Sequence, residues 1–440
     1  MNSPIYSKLD TQYKENSDIY NILCLSIAAV IFSESLLSVW MPPIVPLQDM
    51  NEWIYQGGIL ASILRGAPIH SVIIANYPVP NSLMQLILGL LSLALRPIAA
   101  GRVLITSYIV FGTWVGGALA RRYHPRHVGP ITLVYLISMV LNSPFWNGYL
   151  NSQIGLIIFL SYFLLSEEWR AKQAIVMGEG IVLFFTHAIS FAAFALYIVV
   201  RATLYREQRN LIIAIVPPIV LFFWYISMRA PVELAAIHWG GALHFLSYKV
   251  YTCSKLGGYH NFIFSSGGDA IQRPWVYRLG IASNLAYLAG ILGMLVSIAF
   301  NRSWREIAAE PALVAAAIAV AIALCLPQNM ADVVNPGERL IYLAFGLALP
   351  FIQPKAWLVR AMAAAAVMLA VSVIPLLDGN QEKFRTAVSD EILHGGDIAQ
   401  ALYLHRPTAF VQRVEGVGQS EYRTTEPRLF FETSFLLQRR

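Results

Sequence analysis

Asp49 and Glu52, three residues apart in PPIVPLQDMNEWIY (42–55), are the first side chains in this chain placed to do chemistry. They follow the apolar run 22–40, which has the length that a bilayer asks of a helix, so they lie at a membrane rim. If the stretch is helical, the spacing puts both carboxylates on one face. A carboxylate there can take a proton from a hydroxyl during a displacement. The plainer reading is a pair of solvated loop charges.

Four further groups could work with them. Thr186 and His187 interrupt the apolar run 173–200, and a histidine there needs a cavity or a partner. The segment NSPFWNGYLNSQ (142–153) concentrates amides and aromatics, including Trp146, Asn147 and Asn151. Such a set suits hydroxyl bonding and ring stacking on a polyol, and equally an interfacial aromatic belt. In DVVNPGERL (332–340), Glu338 and Arg339 open an apolar run. Arginine can hold a phosphate through two parallel bonds; a pair that only snorkels to the surface is the alternative. Arg102, Arg273 and Arg278, which also begin apolar runs, are weaker phosphate candidates, and Asn81 follows Pro80 in the first long polar segment.

The elements that must position these groups are membrane helices. The chain is 57% hydrophobic and 13% charged, about half the charge of a soluble domain, with a mean hydropathy of +0.57. Its net charge of +6 comes from short Lys/Arg clusters between apolar runs, which orient helices and do not form a nucleic-acid patch. Cys24, Cys253 and Cys325 are far apart, so neither a disulfide framework nor a zinc site is expected. No cleavable leader is expected: residues 1–19 read as a cytoplasmic segment and 22–40 as the first span.

The first loop, 42–100, holds two amphipathic pieces, 52–65 and 81–95, and the second is expected to lie in the interface without crossing. With that choice about 11 crossings follow: 102–120, 128–144, 153–166, a hairpin over 173–200, 210–228, 277–300, 311–326, 340–351 and 361–377 complete the set. Every basic cluster (121–127, 167–172, 201–209, 301–306, 354–360) then falls on the cytoplasmic side. The opposite side carries 42–100, 142–152, 229–276, 327–339 and the tail 378–440, expected to be a small appended segment or partly disordered. The reading is an all-α polytopic helical bundle over residues 20–377 in a bacterial inner membrane, with its working face extracytoplasmic.

No nucleotide-binding loop, HExxH or GxSxG stretch occurs, which argues against cytoplasmic nucleotide chemistry. Over about 20–376 the order of features resembles the GT-C superfamily of membrane glycosyltransferases, and within it a set of bacterial GT-C-like membrane proteins. The resemblance rests on Asp49, Pro80-Asn81, the run from Asn142 to Asn151, His187 and Glu338-Arg339, with the arginine-led span opening at Arg102. It implies transfer, with inversion, from a polyprenyl-phosphate sugar donor to a glycan, lipid or protein acceptor, with Asp49 as base and Arg339 on the donor phosphate. The chain departs where many relatives carry a second carboxylate or a histidine soon after the first Asp; Glu52 and Trp53 stand there, so a divalent metal ion stays open as a cofactor.

Two other functions fit parts of the sequence. A polymerase or ligase of the O-antigen type relies on a basic late outer loop, and 229–276 holds Arg229, His238, His244, Lys249, His260 and Arg273. A transporter or flippase would find a proton-coupling residue in Glu179, flanked by glycines in MGEG. It would also show inverted repeats, and the sequence has none that is convincing.

Overall fold

The apolar runs of this chain can satisfy their backbone groups in a bilayer only by coiling, and the computed structural model is almost entirely helical. It describes residues 4–41, 45, 47, 50–67, 72–228, 241–254, 256, 274–327, 329–330, 333–352, 355, 357–369, 371 and 436–439. In chain order its main helices are α1 (Pro4–Trp40), α2 (Met50–Leu64), α3 (Leu83–Ala94), α4 (Pro97–Tyr123), α5 (Val128–Tyr135), α6 (Ser143–Trp146), α7 (Leu150–Ser161), α8 (Glu167–Arg170), α9 (Gln173–Thr186), α10 (Ala188–Leu204), α11 (Leu211–Ala214), α12 (Val216–Met228) and α13 (Ala242–Ser254). They continue as α14 (Pro274–Asn301), α15 (Trp304–Ala309), α16 (Pro311–Cys325), α17 (Pro336–Ala348) and α18 (Trp357–Leu369). Four stretches are long and apolar enough to cross a membrane: Ile19–Trp40, Pro97–Tyr123, Arg206–Met228 and Arg278–Asn301. Shorter apolar helices of 10–17 residues include Leu83–Ala94, Val128–Val140, Leu150–Leu164, Gln173–Thr186, Ala188–Leu204, Pro311–Cys325 and Trp357–Leu369.

The basic clusters meet one another on one face. Arg122 Nη1 donates to Leu164 O at 2.5 Å, and Tyr123 OH donates to Phe163 O at 3.2 Å. His124 Nε2 lies 3.0 Å from Leu349 O; a carbonyl only accepts, so the ring donates. Arg201, 1% exposed, donates to Glu167 Oε2 at 2.8 Å and to Gln208 Oε1 at 2.6 Å, and Glu167 also bridges to Arg170. Asn21 Nδ2 donates to Arg126 O at 3.1 Å, which brings the start of the first span to the same face. A buried arginine is tolerated only with this degree of pairing.

The opposite face begins with an α2–α3 pair. It is packed backbone to backbone: a Cβ on Gly57 would meet Leu88 Cβ at 2.6 Å and the Leu88 carbonyl carbon at 3.2 Å. At 1.5 Å per residue, the 12 residues of α3 reach about 18 Å, short of a hydrocarbon core of about 30 Å. Gly57→Ala should therefore destabilise the protein by about 1–3 kcal/mol, because the obstructing atoms include backbone. Gly117→Ala, which meets nothing closer than Thr132 Oγ1 at 4.0 Å, should be nearly neutral. Thermal midpoints of the two variants in detergent check this, and equal midpoints would contradict it.

Where the sequence suggests one straight span over 128–144, the helix changes at Leu136–Val140 to a π-turn. Such a turn frees carbonyls, and the chain answers with side chains. Tyr108 OH donates to Val140 O at 2.8 Å, while Asn142 Nδ2 donates to Ser138 O at 3.1 Å. The α9–α10 hairpin expected over 173–200 is present, broken at a single extended residue, His187 (φ −165°, ψ 123°).

Of the tail 378–440, expected to be a small appended segment or partly disordered, only 436–439 fall among the described residues. Its end, Leu437–Arg439, forms a two-stranded antiparallel sheet with Val72–Ile74 in the first loop. Those two segments therefore share a face.

Candidate functional site

Three helices begin at one place. The residues that cap the starts of α7 and α10 are Tyr149 and His187, and α17 starts after Asn335. Their ends are joined by Arg339, three residues into α17. Arg339 Nη1 lies 3.1 Å from His187 Nε2, and its guanidinium stands 4.8 Å from the centre of the Tyr149 ring. Close packing enforces the approach: a Cβ on Gly155 would strike Ser190 Oγ at 2.6 Å, and one on Gly337 would strike Ala323 O at 2.7 Å.

The Arg339–His187 contact fixes the state of the imidazole. A guanidinium carries only donors, so His187 Nε2 must accept, and the ring is neutral with its proton on Nδ1. His187 is 4% exposed, and its Nδ1 has no hydrogen-bond partner among the described residues. A buried N–H donor thus sits beside a guanidinium and three helix starts. Each helix start carries about half a positive charge, so three bring about one and a half. Glu338, 2% exposed on the same turn of α17, supplies a carboxylate at that helix start and favours the dipole of that helix.

His187→Gln keeps an acceptor where Nε2 stood, whereas His187→Asn places its amide where Nδ1 stood. The Asn variant should lose about 1–3 kcal/mol of stability by leaving Arg339 Nη1 without this acceptor, and the Gln variant should lose much less. Thermal unfolding in detergent tests the order; an Asn variant as stable as wild type would mean the contact is incidental.

Asn81 is in the left-handed region (φ 65°), which Asn tolerates better than most residues, and its Oδ1 accepts from Ala188 N at 3.3 Å. It holds the first loop to the start of α10, one residue from His187. Four sequence regions therefore converge: Asn81, the 142–155 stretch, His187 and the 335–342 turn.

No family model, curated protein or solved structure matches this chain.

The other expected site residues divide into three groups. Trp146 is 3% exposed and its indole N–H donates to Leu141 O at 3.0 Å, so it is a wall of the 142–153 turn. Asn147 and Asn151 are each 6% exposed in the same turn. Arg102 stands 5.9 Å from the ring of Trp40, whose indole N–H donates to Thr106 Oγ1 at 2.9 Å; it belongs to the α1–α4 seam. Asp49 lies outside the described residues, and so do Arg229, His238, His260 and Arg273. Glu52 falls in the first turn of α2, with its side chain outside the description.

Glu338 is buried, which does not fit a side chain that snorkels to the surface, while Arg339 is half-buried and packs on Tyr149. Lys249 is also no open ligand: it is 5% exposed, and Nζ donates to Ala323 O at 2.9 Å and to Leu326 O, closing the end of α16. Its neighbour Tyr248 donates to Asn335 Oδ1, so α13 secures the turn that presents Arg339. Tyr248 and Asn335 were missed in the sequence, and Lys249 was read only as one basic residue of the late outer loop. Asn335, left-handed at φ 54° and followed by Pro336, offered the same Asn-beside-Pro signal as Asn81. Among the described residues no group of three or more His, Cys, Asp or Glu could hold a metal ion.

Proposed function

We propose that this chain is an integral membrane glycosyltransferase of GT-C type, with about 11 spans in a bacterial inner membrane and its site on the extracytoplasmic face. It moves a sugar from a polyprenyl-phosphate donor to a glycan, lipid or protein acceptor. The supporting observation is the meeting of three helix starts on Arg339, with the neutral His187 beside it. That arrangement is suited to an anion at a helix terminus, and at the edge of a bilayer the abundant anion of matching shape is a lipid phosphate. The segregation of basic clusters onto the other face supports the orientation.

In this reading Arg339 and the helix ends bind the donor phosphate and stabilise it as it departs from the anomeric carbon. Asp49 takes the proton of the acceptor hydroxyl as the new glycosidic oxygen–carbon bond forms on the face opposite the leaving phosphate. Asn81, Asn147 and Asn151 offer amides to the sugar hydroxyls, and Glu338 orients the Arg339 turn. A divalent metal ion would add charge neutralisation at the phosphate, with the carboxylates of Asp49 and Glu52 as its donors.

The deciding experiment supplies purified protein in lipid with a panel of radiolabelled polyprenyl-phosphate sugars and an extract of envelope acceptors. Transfer of label with release of polyprenyl phosphate is the expected result. A change in chain length with no sugar transferred from the lipid phosphate would point instead to polymerisation.

A further inference from the structure

The carboxyl-terminal end of the chain is seated in a receptor made by the first loop. Residues 437–439 pair with Val72–Ile74, with Ile73 opposite Gln438. Beyond the ladder, Ala75 N donates to Leu436 O at 2.8 Å and Leu436 N donates to Gln85 Oε1 at 2.8 Å.

Gln85 is the unusual member of this set. It is fully buried on α3, and its Nε2 donates to Gln56 on α2, itself 2% exposed. Two glutamines in an apolar helix pair are costly unless their amides are satisfied. The Gln85 carbonyl finds its donor in the backbone of the carboxyl-terminal strand. The side chain of Leu437, 1% exposed, enters a small apolar cluster with Ile59, Leu60 and Val72, separate from the main core. An edge strand, a pocket for alternate side chains and a buried acceptor awaiting a main-chain N–H together make a site for an extended peptide.

We propose that the carboxyl-terminal strand is a strap whose docking holds α2 against α3. The helix it holds starts at Met50, the residue after Asp49, so the docked strap sets where the first loop stands. When the strap leaves, Gln85 Oε1 loses its donor, the strand edge at Val72–Ile74 opens and the α2–α3 contact loosens.

The test uses the full chain with Ile73→Cys and Gln438→Cys, and with Cys253 and Cys325, the two exposed thiols, replaced by Ser. Opposed residues of an antiparallel pair have Cβ atoms about 4.5–5.5 Å apart, near enough for a bridge after a small shift. Copper phenanthroline takes two electrons as the two thiols release two protons and form the S–S bond. Protection of both thiols from maleimide-polyethylene glycol in native membranes is expected, and Leu437→Asp should abolish it. In the otherwise unmodified chain, Leu437→Asp should raise hydrogen exchange of the 50–64 amides at least tenfold, with Leu437→Ala intermediate if the Asp variant does not fold. A folded chain whose thiols do not bridge overturns the strap. So does unchanged α2 exchange in both Leu437 variants. Neither readout involves a sugar donor, so failure here is distinct from failure of the transferase reading.

Discussion

Arg339→Lys should weaken binding of a polyprenyl monophosphate by about ten- to a hundredfold while leaving the protein folded. Lysine keeps the charge, but it loses the planar fork, the stacking on Tyr149 and a geometry that reaches both His187 and a phosphate. One hydrogen bond to a charged group contributes about 1.5–3 kcal/mol, and 1.4 kcal/mol is a factor of about ten. Titration of the lipid phosphate in detergent micelles, followed by protein fluorescence, measures the loss. Arg102→Lys is the control, because Arg102 stands on Trp40 in the α1–α4 seam; it should stay within about twofold of wild type. If Arg102→Lys lost as much as Arg339→Lys, the phosphate would belong at that seam and the three helix starts would have another use. Raising salt should weaken wild-type binding only modestly, since His187 and Glu338 beside the contact are buried.

The legible part of this molecule is the part set by period and charge. Apolar runs near 20 residues announced helices, and the Lys/Arg clusters announced one shared face, which Arg122, Arg201 and Asn21 now tie together through direct contacts. The break at His187 was legible because a polar pair in the middle of an overlong apolar run must interrupt it. Glu338 and Arg339 were legible as residues but not as geometry. The burial of Glu338 and the placement of Arg339 depend on Gly337 letting α17 approach the Ala323 carbonyl and on Tyr248 holding Asn335, contacts from distant parts of the chain. Trp146 was misleading for the opposite reason. An aromatic among amides reads as a stacking platform, yet the π-turn before it leaves carbonyls exposed, and the turn folds inward to satisfy them. The carboxyl-terminal strand carried almost no signal, since three short residues acquire a partner only when Gln85 and Val72–Ile74 are brought together.

Asp49→Asn should abolish sugar transfer, lowering the rate by about 10²–10⁴, and it should do so without unfolding the chain. Val45 and Leu47 before Asp49 and Met50, Trp53 and Ile54 after it are all buried, so the described chain on both sides of it is anchored in the core. Met50 is the first helical residue of α2, and Asp and Asn side chains are nearly the same size. The substitution therefore removes a negative charge and a proton acceptor while conserving size and shape. Glu52→Gln, in the first turn of α2, should reduce the rate far less, because the acceptor proton goes to Asp49. Cells carrying each variant in place of the wild-type protein, compared for envelope glycan and for protein level in the membrane, separate the two effects. Full glycan with Asp49→Asn at wild-type protein level would remove Asp49 as the base. A loss with Glu52→Gln as deep as with Asp49→Asn would mean that the two carboxylates act together, which is the behaviour expected of a shared metal ion.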